Sequence, residues 1–120
     1  LGYTEHDALL YFLENVDCLG AEIKEIVIRP HPSEIDYLKK YDWALNAFSG
    51  IQVRFGQYLS LLEELIQSDV VIGCESMAMV VGLEANKRVV SSIPPHGAPC
   101  KLPHDEIERM SDLIGQSRVI

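Results

Sequence analysis

The fold is decided by the stretch DVVIGCESMAMVVGLEAN, which runs from Asp69 to Asn86. Its beginning is an apolar run between an acid and a glycine, and such a run predicts a strand. From Ser76 onward the residues are apolar nearly all round, which predicts a helix buried on more than one side. In this interpretation Met77 and Met79 belong to the core. A buried strand followed at once by a buried helix is typical of a parallel sheet covered by helices.

The same alternation extends in both directions along the chain. A capping-box spacing at Ser60 predicts the start of a helix whose apolar side chains are Leu62, Leu65 and Ile66. The order predicts one Rossmann-like domain over residues 1–120, a three-layer α/β sandwich with a doubly wound parallel sheet. The other predicted helices cover residues 5–17, 33–41 and 105–114, and the other predicted strands cover residues 25–28, 51–55 and 88–93.

The predicted order begins with a helix, whereas a doubly wound fold normally begins with a strand. We therefore expect the first strand of this sheet to lie upstream or to have been lost. The strand that should pair with it then has an exposed edge, and such an edge favours dimerisation or a missing partner domain.

Composition limits the classes of function. Ten Lys and Arg stand against eighteen Asp and Glu, a net charge of -8, which argues against nucleic acid or an anionic membrane as the main partner. No apolar run reaches the roughly 18–20 residues that a membrane span needs. The cysteines Cys18, Cys74 and Cys100 show no CxxC spacing, so they predict neither a disulfide framework nor a zinc site. We expect a cytoplasmic protein without a metal or a resident cofactor.

The residues after each strand are candidate ligands, because parallel sheets bind at the carboxyl ends of their strands. After the first predicted strand comes the loop RPHPS, in which two prolines hold Arg29 and His31 in extended geometry before a helix start. A histidine in this place can hydrogen-bond a phosphate and, when protonated, offset its charge. The alternative is a proline-rich strand exit with a solvated histidine.

A second candidate loop, GCESM, follows the predicted strand that begins at Asp69. Gly73 allows close approach of a ligand to the backbone, and the hydroxyl and N–H groups around Ser76 are expected to face the same rim as His31. Glu75 would repel a phosphate, yet it could accept hydrogen bonds from sugar hydroxyls. The alternative is a plain N-cap serine on a buried helix.

Other signatures are absent from the sequence. There is no GxGxxG or GxxxxGK[ST] for a dinucleotide or a P-loop, and no GxSxG elbow for a hydrolase. A proline-rich loop over residues 94–105, containing His96 and His104, could close over a ligand or serve only as a linker.

The two candidate loops, with the strands before them, resemble the C-terminal half of GT-B glycosyltransferases. The likeness rests on IVIRPHPSE and DVVIGCESMA, and it extends over roughly residues 3–105. It points to bacterial sialyltransferases, polysialyltransferases and capsule-polysaccharide enzymes, and to CDP-glycerol glycerophosphotransferases. In those families an HP motif and a serine-containing loop bind the phosphate of a cytidine-nucleotide donor. The resemblance therefore implies that His31, Pro32 and Ser76 hold that phosphate.

The resemblance also implies a mechanism. It is a metal-independent displacement in which His31 stabilises the departing phosphate and Glu84 holds the ribose of the donor. The acidic D/E-D/E-G motif that supplies the base in sialyltransferases is absent from the sequence. The chain is therefore expected to bind a nucleotide or nucleotide-sugar of the CMP or CDP type without transferring a sugar alone. The candidate binding residues are Arg29, His31, Pro32, Gly73, Glu75, Ser76, Met77 and Glu84.

The expected partner is a separate N-terminal GT-B half, as the resemblance implies, or a second copy of this chain, as the exposed strand edge favours. One alternative is a non-catalytic interaction domain that kept the fold and lost the ligand. Another is half of a UDP-sugar epimerase-type protein, which would prefer UDP to CMP.

Overall fold

The computed structural model describes residues 3–20, 22–30, 36–47, 50–56, 60–74, 76–98, 100–102 and 104–118. Within these ranges the helices are α1 (Glu5–Glu14), α2 (Tyr37–Leu45), α3 (Leu61–Gln67), α4 (Met77–Glu84) and α5 (Met110–Arg118), and a 3-10 turn covers Val16–Leu19. The strands are β1 (Glu25–Ile28), β2 (Gln52–Phe55), β3 (Val70–Gly73), β4 (Arg88–Ser91) and β5 (Glu108–Arg109).

Among the described residues the strand pairs are parallel and belong to two small sheets. In one sheet β1 pairs with β2, with Ile26 opposite Val53. In the other β4 lies between β3 and β5, with Ile72 opposite Val90. Helices flank the strands, so the chain has the Rossmann-like α/β fold that the alternation in the sequence predicts. The structure also divides the parallel strands between two sheets, which the sequence does not predict.

The helices cover two faces of the strand layer. On the first face, α1, the 3-10 turn, α2 and α5 pack against both sheets, since side chains of β1, β2 and β4 share that core. Its buried members are Phe12, Leu13, Val16, Leu19, Ile26, Ala44, Val53, Val90 and Met110. On the second face, α3 and α4 pack against the other sides of β3 and β4. Its buried members are Leu65, Val71, Met79 and Val89.

Helix caps explain where two helices begin. The Thr4 hydroxyl accepts a hydrogen bond from the Asp7 N–H at 3.1 Å, and the Asp7 carboxylate accepts one from the Thr4 N–H at 3.0 Å. This reciprocal box satisfies two N–H groups at the start of α1. The bond from the Thr4 backbone is also the main cause that lowers the pKa of Asp7. At α3 the Ser60 hydroxyl accepts from the Glu63 N–H, which confirms the predicted start.

The buried face of α3 differs from the prediction. Leu62 and Ile66 are 53% and 57% exposed, whereas Leu65 and the charged Glu64 are buried. The apolar pattern alone predicts that the side chains of Leu62 and Ile66 face the core. Arginine partners for Glu64, which come from distant parts of the sequence, make its burial possible instead.

Boundaries of two predicted helices were also wrong. The last helix begins at Met110 and not at residue 105, because the short strand β5 precedes it. A strand of this length is too short to give a recognisable alternation. Helix α2 has Asp36 as its N-cap and ends at Leu45, four residues beyond the predicted end at Tyr41. The predicted cap at Ser33 lies outside the described residues.

Arg88, the first residue of β4, connects three segments. Its Nε and Nη2 donate to the Glu108 carboxylate at 2.6 and 3.0 Å, and its Nη1 donates to the Leu19 carbonyl at 2.7 Å. The hydrogen bond to Glu108 is the main cause that raises the pKa of Arg88.

We expect Arg88→Lys to lower the free energy of unfolding by about 1–2 kcal/mol. The reason is that an ammonium cannot reach both the Glu108 carboxylate and the Leu19 carbonyl in this geometry. Urea denaturation measures the loss. Lys39 is exposed, so Lys39→Ala is the control. If Arg88→Lys loses no more stability than Lys39→Ala, Arg88 does not hold these segments together.

Candidate functional site

The carboxyl ends of the strands lie at one rim of the strand layer. Within each sheet the strands are parallel. Leu19, just upstream of β1, is held by Arg88 at the amino end of β4, so the amino ends of both sheets lie on the same side. The opposite rim therefore carries Arg29 after β1, Gly73 at the end of β3 and Arg109 at the end of β5.

A buried carboxylate lies beneath this rim. Glu64 of α3 is 7% exposed, and its Oε1 lies 3.4 Å from Nη1 of Arg29. Its Oε2 lies 3.9 Å from Nη2 of Arg54, which also contacts Glu25 at 3.3 Å. Burial of a charge is tolerated only when cations compensate it, and here two guanidinium groups do so. Glu64 therefore orients Arg29, whose side chain keeps 34% of its surface exposed.

Gly56, which follows β2, makes room for that carboxylate. A Cβ at this position would overlap Oε1 of Glu64 and lie 2.5 Å from Cγ1 of Val27. The Gly56 N–H donates to the Ile28 carbonyl at 2.9 Å, which holds the backbone in place. Sequence reasoning did not find Gly56 or Glu64, because neither belongs to a motif and their contact joins separate segments.

The predicted loop after β3 leads directly into α4. Ser76 is the N-cap residue by its extended backbone, yet among the described residues its hydroxyl makes no capping hydrogen bond. Gly73 packs tightly here, since a Cβ on it would lie 3.0 Å from the Met79 side chain and 3.2 Å from the Ser76 hydroxyl. Met77 is 71% exposed at this helix start, so the prediction that it belongs to the core was wrong. Met79 is fully buried, as predicted.

The structure brings together only part of the predicted site. Arg29, Gly73, Ser76 and Met77 lie at the carboxyl rim. Glu84 is the last residue of α4, about 10 Å along the helix axis from its first residue, and is not brought to that rim.

Three predicted residues, His31, Pro32 and Glu75, lie outside the described residues. Their roles stay predictions.

A small cavity of about 120 Å³ lies at the same rim, where β4 and β5 end. Ser91, Arg109 and Ser111 line it together with the Pro94–Pro95 turn. Ser91 is 4% exposed. The sequence did not predict Arg109 as a rim residue, because β5 was read as part of a helix. The pair of serines at the end of β4 is the one local signal that could have drawn attention to this place.

A larger cleft of about 420 Å³ lies beside α5. The segment that was predicted to close over a ligand or to serve as a linker forms part of its wall, including Cys100, His104 and Asp105. No group of three or more His, Cys, Asp or Glu in the described parts of the chain could hold a metal ion.

Two further findings bear on what kind of protein this is. Among the described residues, no helix is both long and apolar enough to span a membrane. No protein-family model matches the chain, and no match is found among curated proteins or among solved structures.

Proposed function

We propose that this chain is a nucleotide-binding domain that holds the phosphate of a CMP- or CDP-type sugar donor at the carboxyl ends of β1 and β3. The observation that supports the proposal is the start of α4 at this rim. Its first N–H groups are not capped by the Ser76 hydroxyl. The N-terminus of a helix favours an anion through hydrogen bonds from its first N–H groups and through the helix dipole.

Charge around the helix start supports the same conclusion. Arg29, at the end of β1, has a guanidinium that Glu64 orients and that stays partly exposed. Because Glu64 is also compensated by Arg54, an approaching phosphate could share Arg29 without leaving the buried carboxylate unpaired. His31 follows Arg29 by two residues, and in its protonated form it would add a second cation.

The chemistry proposed for this site is binding and phosphate stabilisation. His31 and the N–H groups at the start of α4 offset the charge that develops on the departing nucleotide phosphate. The base that activates an acceptor comes from another domain, as the GT-B resemblance implies. Glu84 has no part in the proposed site, since it ends α4 at the far side.

The test is thermal unfolding with CMP, CDP, UDP, UMP, GDP and ADP, for the unmodified chain and for His31→Ala. A ligand at a hundred times its dissociation constant stabilises a fold by about 2.7 kcal/mol, which is readily seen as a rise in Tm. We expect CMP or CDP to raise the Tm of the unmodified chain. We expect His31→Ala to lose most of that rise, and Ser76→Gly to reduce it.

The matched control is His104→Ala, which removes a histidine beside the larger cleft. Its response to CMP should equal that of the unmodified chain. If none of these nucleotides raises the Tm at millimolar concentration, the proposed function is wrong. A rise with UDP in place of CMP would favour the epimerase-type alternative.

A further inference from the structure

A buried hydroxyl lies at the cavity of about 120 Å³ where β4 ends. It belongs to Ser91, which is 4% exposed. Within the part of the chain that the structure describes, this hydroxyl makes no hydrogen bond. Burial removes a hydroxyl from water, and without a new partner it lowers stability, so such groups are rare in native proteins. The hydroxyl of Ser91 therefore indicates that the cavity receives a polar group.

The strand register places a cation beside this hydroxyl. Ser91 stands opposite Arg109 in the parallel pair of β4 and β5. Side chains of opposite residues leave a sheet on the same side, and neighbouring strands lie about 4.8 Å apart. Arg109 is exposed and forms no ion pair with a carboxylate of the described residues. Its guanidinium is thus available to a ligand at the cavity. Because a guanidinium has only donors, that ligand must accept hydrogen bonds.

The start of α5 supplies a third donor at the same cavity. Ser111 is the second residue of this helix and lines the cavity. Its hydroxyl, too, has no hydrogen-bond partner among the described residues. The first turn of a helix favours a negatively charged group through the helix dipole. The remaining wall is largely apolar, since Ile93 and Pro94 are buried there.

The volume of the cavity limits the size of its ligand. Pockets that take drug-sized molecules have volumes of about 300–1,000 Å³. A cavity of about 120 Å³ takes only one small group. The apolar wall permits a short aliphatic chain next to the group that accepts from Arg109.

The charges around Arg109 limit the charge of the ligand. Asp105 and Asp112 line the neighbouring larger cleft, which Arg109 also lines. Neither carboxylate has an ion pair within the described ranges. One guanidinium compensates one negative charge, and a doubly charged oxyanion would leave an excess of negative charge beside these two carboxylates. The planar guanidinium also matches the geometry of a carboxylate, which it can bind through two parallel hydrogen bonds.

We propose that this cavity binds a carboxylate group on a short aliphatic chain. Arg109 balances the charge of the carboxylate, and the hydroxyls of Ser91 and Ser111 donate to its oxygens. The proposal does not depend on nucleotide binding, since it uses none of the residues that hold the donor phosphate in the proposed function.

The experiment titrates the full chain with sodium propionate at constant ionic strength. Amide NMR shifts of Ser91, Arg109 and Ser111 report binding. Sodium sulfate supplies a doubly charged oxyanion, and propylamine hydrochloride supplies a cation of similar shape. We expect saturable shifts with propionate, binding of sulfate weaker by about tenfold or more, and no shift with propylamine.

Three variants test the residues. Arg109→Gln should weaken propionate binding by about tenfold or more, because a charge-assisted pair is lost. Lys39→Gln removes the same charge from an exposed position of α2 and should bind propionate like the unmodified chain. Ser91→Ala should weaken binding by about threefold or more. Without propionate, Ser91→Ala should leave the Tm unchanged or raise it, because it removes a buried hydroxyl that has no partner.

Four results would each overturn the proposal. Absence of a saturable shift with propionate would mean that the cavity holds only water. Equal affinity for sulfate would indicate general attraction of anions. An equal loss of affinity in Lys39→Gln and Arg109→Gln would indicate an effect of net charge. A lower Tm of Ser91→Ala without ligand would show that the hydroxyl already has a partner in the folded chain.

Discussion

Gly56→Ala lowers the free energy of unfolding by about 2–4 kcal/mol, in our expectation, although it adds only a methyl group. That methyl group would overlap the buried Glu64 carboxylate and press on Val27. Val27 belongs to β1 and cannot move without disturbing the sheet. Glu64 would therefore be displaced, which breaks its ion pairs with Arg29 and Arg54. Urea denaturation at neutral pH measures the change.

The matched control is Gly115→Ala in α5, where the added methyl group meets no atom within 4 Å. Alanine is favoured over glycine in a helix by about 1 kcal/mol, so this variant should be neutral or slightly more stable. Equal effects of the two substitutions would show that Gly56 does not make room for Glu64. Gly56→Ala should also weaken nucleotide binding at the rim, since Arg29 loses Glu64 as its orienting partner.

Met79→Ala is expected to cost about 2–5 kcal/mol, because the side chain is completely buried and its removal leaves a cavity. Met79 packs in the core of the second face, against Leu65, Val71 and Val89. Gly82 lies on the same helix and lets the helix approach β3, since a Cβ there would lie 3.0 Å from Val71. This close packing limits how far the helix can relax into the cavity.

Met77→Ala serves as the control on the same helix. Its side chain is 71% exposed, so its removal should change stability by no more than about 0.5 kcal/mol. Urea denaturation of both variants separates the two positions. If Met77→Ala were as destabilising as Met79→Ala, the assignment of the buried side of α4 would be wrong.

Much of the fold follows from local pattern. The apolar runs at residues 25–28 and 70–73 predict strands where the structure has them, and the spacing at Ser60 predicts the start of α3. The helix after Gly73 begins at the predicted place. These features depend on periodicity and on caps, which are properties of neighbouring residues.

The candidate site could be predicted only in part. Gly73 and Ser76 were found because a strand end followed by a helix start is visible in sequence. Glu64 was not, because an acidic residue within an apolar helix gives no sign that it turns inward. Ser91 and Arg109 were missed because their pairing depends on β5, and that strand is recognisable only by its hydrogen bonds to β4.

By itself, the sequence determined the alternation of helices and parallel strands and the loops that lead away from them. Only the tertiary structure decided that Glu64 is buried while Leu62 and Ile66 are exposed. It also decided that the described strands form two sheets, one of β1 and β2 and the other of β3, β4 and β5. The reason is physical: periodicity reports the geometry of one segment, whereas the burial of a charge and the pairing of a strand edge depend on partners distant in the chain.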